Sequence, residues 1–148
     1  MSILEQLLGK TKYPTKEEIM NNPMKHKKEV IQTLKEFKKL PHPNGITYED
    51  LYGLLTCLSS VYNKPLYITN IPPQQGCSYD PINKTIHLDN SNSIISALHE
   101  FGHHLYGSSE TKACRWSVWL FKKVYPKAFT LLEWKGHLLV RQNKPTTI

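Results

Sequence analysis

The residues with the clearest capacity for chemistry lie between 94 and 110, where the chain reads Ile-Ile-Ser-Ala-Leu-His-Glu-Phe-Gly-His-His-Leu-Tyr-Gly-Ser-Ser-Glu. Within this stretch His99-Glu100-Phe101-Gly102-His103 is an H-E-x-x-H motif. On a helix, residues i and i+4 stand one turn apart on the same face. Two imidazoles placed that way converge on one tetrahedral cation, and nitrogen donors suit zinc (Zn2+). The intervening glutamate sits beside the cation without ligating it, where it can take a proton from water. His99 and His103 are therefore the expected metal ligands and Glu100 the expected catalytic base.

A catalytic zinc takes three protein ligands and leaves one position open. The expected third ligand is Glu110. Gly107 permits a reversal after the motif, and Ser108-Ser109 supplies cap residues for a following helix. Glu110 then falls in the first turn, where a carboxylate is favoured by the helix dipole. Ala113, Cys114 and Ser117 share its face and are all small, so that face can press on another helix and deliver a short ligand across the pair. His104, His87, Asp89 and Glu133 are competitors. His104 points about 100° away from His103 on a helix. His87 and Asp89 share one side of a predicted strand, and His137 is too remote in sequence to place. Tyr106, Arg115 and His104 are possible oxyanion donors, each with a structural role as the alternative. The metzincin pattern H-E-x-x-H-x-x-G-x-x-H does not fit, because Tyr106 stands at its glycine and Ser109 at its third histidine.

The elements that must position these groups can be read from periodicity and punctuation. Ile94, Leu98, Phe101 and Leu105 recur at helical spacing and predict a helix over about 93–106 with its apolar stripe on the core. The two histidines lie roughly a third of a turn from that stripe, facing a cleft. Gly102, between them, leaves room for another backbone to approach. A further helix is expected through about Val124, and Pro126 interrupts it before a last helical stretch over 127–140.

Upstream, Val30, Leu34 and Phe37 predict an amphipathic helix over 25–39, and Thr47 with Asp50 begins another that runs to about Tyr62. Leu66 to Ile71 reads as a strand, and Tyr79 to Asp89 as a turn feeding a second one. An extended peptide is expected to pair along the edge of this sheet at Lys84 to Asp89. The fold class is α+β, a small zincin-like domain with N-terminal helices, a short β-sheet and the H-E-x-x-H helix followed by a glutamate-bearing helix. Its parts are a helical N-terminal extension (1–46), the zincin-like core (47–124) and a C-terminal helical segment (125–148).

The bulk numbers agree with one such domain. The chain has 148 residues, 39% of them apolar, and a formal net charge of +7. Cys57, Cys77 and Cys114 are scattered and odd in number, which argues against a disulfide framework or a thiolate metal site. No apolar run has membrane-spanning length, and the opening residues do not resemble an export signal, so an intracellular, cytoplasmic, soluble protein is expected. The lysine-rich runs read as solvated helix faces. Nucleic acid is a possible partner without a motif to support it, and the partner expected from the chemistry is a peptide or protein substrate.

Residues from about 47 to 121 resemble the phage- and mobile-element-associated ImmA/IrrE family of gluzincin-like metallopeptidases. The resemblance lies in an ordered set: a helix before Tyr67-Ile68-Thr69, then Gly76 to Tyr79, the strand Lys84 to Leu88, and Leu98 to His103. Glu110 to Ser117 is similar to that family's E-x-E-A-N-x-F-A helix, with Glu110 at the first acid, Ala113 at the alanine and Trp116 at the aromatic. Lys112 stands at the second acid and Cys114 at the asparagine. The resemblance implies a zinc peptidase fold with His99 and His103 as ligands and Glu100 as base, acting on a repressor or regulator protein. The alternative is a catalytically inactive zincin-fold module that binds a protein partner, with Trp116, Trp119 and Phe121 as contacts or, more simply, as core.

Overall fold

The structure, a computed structural model, describes residues 13–73 and 75–141, the side chain of Arg141 excepted. Its element order is α1 (Lys16–Met20), α2 (Lys28–Lys39), α3 (Tyr48–Tyr62), β1 (Tyr67–Asn70), β2 (Ser78–Asp80), β3 (Thr85–Leu88), α4 (Ile94–Tyr106), α5 (Glu110–Val124), α6 (Pro126–Thr130), β4 (Leu132–Lys135) and β5 (Leu138–Arg141). The molecule is a mixed α+β domain, and no described helix is long and apolar enough to cross a membrane.

The helix boundaries follow local side-chain chemistry. Thr47 and Asp50 form a reciprocal capping box at the start of α3, with the Asp50 amide donating to Thr47 Oγ1 (3.1 Å) and the Thr47 amide donating to the Asp50 carboxylate (3.0 Å). These bonds satisfy amides that have no partner within the helix. Ser93 caps α4 and Ser109 caps α5 in the same way, each hydroxyl accepting an amide three residues on. The H-E-x-x-H segment and Glu110 thus stand on two capped helices joined by three residues.

Three strands form one sheet in the order β1-β3-β2, with β1 parallel and β2 antiparallel to β3. Being central, β3 is hydrogen-bonded on both sides. The expected pairing of a peptide along Lys84 to Asp89 is therefore corrected: the ladder of β3 is already filled, and the strand of this sheet that packs beside α4 with an open edge is β2.

The core gathers Ile86 and Leu88 from the sheet, Leu98 and Phe101 from α4, Trp116 and Leu120 from α5, and Leu51, Leu55 and Leu58 from α3, all at most 1% exposed. Each such side chain contributes on the order of 1.5–3 kcal/mol by leaving water. Val30, Leu34 and Ile19 join the same cluster, so the N-terminal helices are part of one core with the rest. Ile94 and Leu105, expected in the stripe of α4, are only half-buried, while Ile95 and Ala97 are buried in addition to Leu98 and Phe101. Trp116 and Phe121 are core residues, as the simpler of the two expectations held.

The largest departure from the sequence reading is at the C-terminal end. The helix expected over 127–140 stops at Thr130, and the chain forms an antiparallel hairpin, β4–β5, with Lys135 opposite Leu138. Pro126 opens α6, where its missing amide costs nothing. Gly136 then adopts a left-handed φ of 62° in a two-residue Gly-His turn. That conformation suits glycine and matches the twist of tight hairpins. The remainder of the predicted C-terminal helical segment, 142–148, and the start of the N-terminal extension, 1–12, lie outside the described residues.

Candidate metal centre

The site is built where α4 and α5 cross, the most extensive contact among the described elements. Gly102 makes the crossing possible. A Cβ at this position would stand 2.9 Å from Ala113 Cα and 3.0 Å from its carbonyl oxygen, closer than carbon side chains approach backbone. The helices therefore touch backbone to backbone at Gly102 and Ala113, with Cys114 and Ser117 buried along the same seam. The small-residue face expected beside Glu110 is realised, and it brings the first residue of α5 level with the histidines of α4.

His99, His103 and Glu110 come together. Glu110 Oε1 lies 2.7 Å from His99 Nε2 and 2.8 Å from His103 Nε2. Their side chains keep 14%, 17% and 15% of their exposure, so the cluster is recessed and still reached by water. The three atoms, one from each residue, lie within 4.8 Å of one another, the spacing of a shared cation.

The hydrogen bonds around the cluster supply a test of whether a metal fits. His103 Nδ1 donates to the Gly107 carbonyl oxygen (2.7 Å). A neutral ring then presents a bare lone pair at Nε2, facing a carboxylate oxygen. At 2.8 Å the ring nitrogen and the carboxylate oxygen are at hydrogen-bond distance, so a proton bridges them here, and a cation held by both would take the place of that proton. His99 Nδ1 points at Cys114 Sγ (3.7 Å), so its Nε2 faces the same oxygen in the same sense. Glu110 Oε2 is held by His137 Nε2 (3.2 Å). Each of the three groups thus has its other polar atom engaged, which is how ligands to a cation are oriented in general. The donor set, two imidazoles and a carboxylate, suits zinc better than a hard, oxygen-seeking cation.

Electrostatics divides the two glutamates. Burial alone would raise the Glu110 carboxyl, but hydrogen bonds from His103 and His99 and their nearby charge hold it well below the usual carboxylate range. The bond to Glu110 raises His103 in return. Burial pushes Glu100 up to about 7, against the pull of His99 and His103 and with the help of the Glu110 charge. Two carboxyls one helix crossing apart are thereby separated into a permanent anion and a proton-exchanging group, the division an acid–base site needs.

Two cavities meet at this point. One, of 340 Å³, is bounded by Gly76 and Cys77 on one side and by Leu138, Leu139 and Val140 on the other. The second, of 400 Å³, is lined by Ser78, Tyr79, Pro81 and Ser108. His99, Glu100 and Glu110 line both, so the cluster lies in the floor of a continuous cleft between β2 and the hairpin.

The competitors are elsewhere. His104 is 6% exposed and faces the sheet: its Nε2 donates to the Lys64 carbonyl (3.2 Å) and its Nδ1 accepts from the Tyr79 hydroxyl (2.8 Å). Burial lowers its pKa, as fits a neutral ring with both nitrogens satisfied. His87 pairs with Thr69 on the sheet (2.8 Å). Asp89 is buried and accepts from the amides of Gly76 and Ser91, pinning the loop that precedes β2. Glu133 is half-buried on β4 and belongs to none of the potential metal-binding groups among the described residues. Arg115 donates to the Asn22 and Pro23 carbonyls, and Tyr106 reaches toward Met24, so both tie down the N-terminal segment instead of lining the cleft.

His137 is the residue sequence reasoning missed. It stands at the tip of the β4–β5 hairpin, and with Glu110 and Cys114 it forms a second group with metal-ligand spacing. The only available signal was Gly136-His137 between two apolar runs, a turn signature hidden by the expectation of a helix. No family model, curated protein or solved structure matches the chain significantly.

Proposed function

We propose that the chain is a zinc-dependent metallopeptidase that hydrolyses peptide bonds in a protein substrate. The observation that carries this reading is the convergence of His99 Nε2, His103 Nε2 and Glu110 Oε1 on one point, in the floor of a cleft that Glu100 also lines. Zinc held by those three atoms supplies a Lewis acid that acidifies water and polarises a carbonyl.

The residues of the chain do the rest. Glu110 stays ionised and offsets the charge of the cation. Gly107 and Cys114 fix the rings of His103 and His99 so that each presents Nε2. Glu100, whose burial favours proton uptake, accepts the proton released as water adds to the carbonyl and returns it to the departing amine. An extended substrate fits along the open edge of β2, with Cys77, Ser78 and Tyr79 beneath it. The resemblance to ImmA/IrrE peptidases makes a regulator protein the substrate to try first.

The test pairs two measurements on the full chain, zinc content and cleavage of a peptide library and of candidate regulator proteins. Glu100→Gln should keep wild-type zinc content and lose cleavage by about 10²–10⁴-fold, the usual contribution of a general base. Equal cleavage by both proteins removes Glu100 from the mechanism. Zinc bound without cleavage of any substrate favours the inactive zincin-fold binding module.

A further inference from the structure

We infer that His137 is a positioning residue for the metal centre: it holds Glu110 from the side opposite the cation, and so ties docking of the β4–β5 hairpin to metal loading. This rests on the metal reading of His99, His103 and Glu110.

Glu110 has a flexible side chain on the first residue of α5, and a free carboxylate there loses rotational freedom whenever it ligates. Its two oxygens have different neighbours. Oε1 faces both imidazoles of α4, while Oε2 accepts from His137 Nε2 at 3.2 Å. A donor on Oε2 fixes the plane of the carboxylate and leaves Oε1 aimed at the metal position. Groups of this kind, one bond removed from the cation, typically change its affinity by 10–100-fold.

His137 is itself held in three ways that do not involve the carboxylate. The two-residue turn at Gly136 sets its backbone, with Lys135 opposite Leu138 across the hairpin. Its ring stacks on Tyr13 at 4.7 Å between centroids. The Cys114 thiol lies 3.8 Å from its carbonyl oxygen, tying the hairpin tip to the seam between α4 and α5. Leu139, two residues on, is 6% exposed in the main core, so the hairpin has an anchor of its own. The imidazole therefore reaches Glu110 from a fixed point and is not carried there by the carboxylate.

Coupling of this kind is reciprocal. If the docked hairpin strengthens metal binding, metal must stabilise the docked hairpin by the same factor. The amides of Leu138 and Val140, which face β4 in the hairpin ladder, then report on the metal, although neither side chain has a ligand atom.

The experiment compares zinc affinity by chelator competition in the wild type, His137→Ala and His137→Gln, with amide exchange of Leu138 and Val140 with and without zinc. The glutamine variant retains an N–H donor. The expected result is a 10–100-fold loss of affinity in His137→Ala, largely restored in His137→Gln, and zinc-dependent protection of the hairpin amides in the wild type that is lost in His137→Ala. At saturating cobalt(II), wild type and His137→Ala should show the same ligand-field spectrum. Equal zinc affinity in His137→Ala overturns the inference, and a changed cobalt spectrum overturns it by making His137 a ligand. If the wild type binds no zinc, the failure lies with the metal centre itself.

Discussion

Helix α5 borders two very different cavities. Toward its C-terminal half, Trp119, Lys122 and Lys123 join Met24, Lys25, His26 and Ile31 around a 520 Å³ space. At its N-terminal end, Glu110 and Cys114 face α4 across spaces of 340 and 400 Å³. The basic cavity is the largest single one of the three, and its charge is conspicuous in the sequence. Yet its cations do not converge: Lys122 lies over the rings of Trp119 (4.8 Å) and Phe129 (5.6 Å). The cleft at the other end draws His99 and His103 from α4 and His137 from the hairpin tip onto the one carboxylate of Glu110. Volume and net charge describe where a ligand has room; convergence of donors describes where chemistry can occur. In this molecule the two indicators point to opposite ends of one helix.

The sharpest way to break the comparison is to remove the convergence and leave the charge. Glu110→Ala should weaken zinc binding roughly a hundredfold or more, a larger loss than deleting a group one bond further out. Alanine at both Lys122 and Lys123 should leave zinc affinity unchanged. Elemental analysis with chelator competition reads both; undiminished affinity in Glu110→Ala would mean that a different side chain completes the site.

A smaller effect comes from prising the helices apart. Gly102→Ala places a methyl group 2.9 Å from the Ala113 backbone. Overpacking costs about 1–3 kcal/mol, and the better helix propensity of alanine returns about 1 kcal/mol. The expected net is a loss of roughly 1 kcal/mol in urea unfolding, together with weaker zinc binding because Glu110 retreats from the histidines. A variant with unchanged stability and affinity would show that the crossing can relax without moving the site.

The smallest effect belongs to the basic cavity. His26 donates from Nε2 to the Trp116 carbonyl (2.8 Å), and burial lowers its pKa below 6.5 in spite of that bond. Above pH 6.5 the ring is neutral in both folded and unfolded chains and nothing is lost. As pH falls through 6.5 the unfolded chain takes up the proton first, so stability declines until the folded ring also titrates. His26→Gln keeps a donor without the titration, and should flatten the acid-side decline. Urea midpoints at pH 7 and pH 5.5 measure it; parallel curves for the two proteins would mean that His26 is as easily protonated folded as unfolded.

Much of the fold was legible because its signals are local. Thr47 with Asp50, Ser93 and Ser109 each cap the helix they were expected to begin, since a hydroxyl three residues before an amide does so regardless of the rest of the chain. The spacing of His99 and His103 depends only on helical pitch. The C-terminal hairpin was not legible, because Leu132 to Val140 is apolar enough for either period and the choice is made by packing Leu139 into a core assembled from distant segments.

The amino-acid sequence by itself determined that two imidazoles and a glutamate share one helical turn, that a small-residue helix face carrying Glu110 follows, and where α3, α4 and α5 begin. These depend on neighbours within a few residues, whose geometry the backbone imposes. Only the tertiary structure decided that Oε1 of Glu110 meets both rings, that His104 turns inward to Tyr79, that β3 has no open edge and that His137 closes the site from the hairpin. Those facts depend on contacts between residues up to 27 positions apart along the chain, from Glu110 to His137, and such contacts are set by how whole faces pack, which no local pattern encodes.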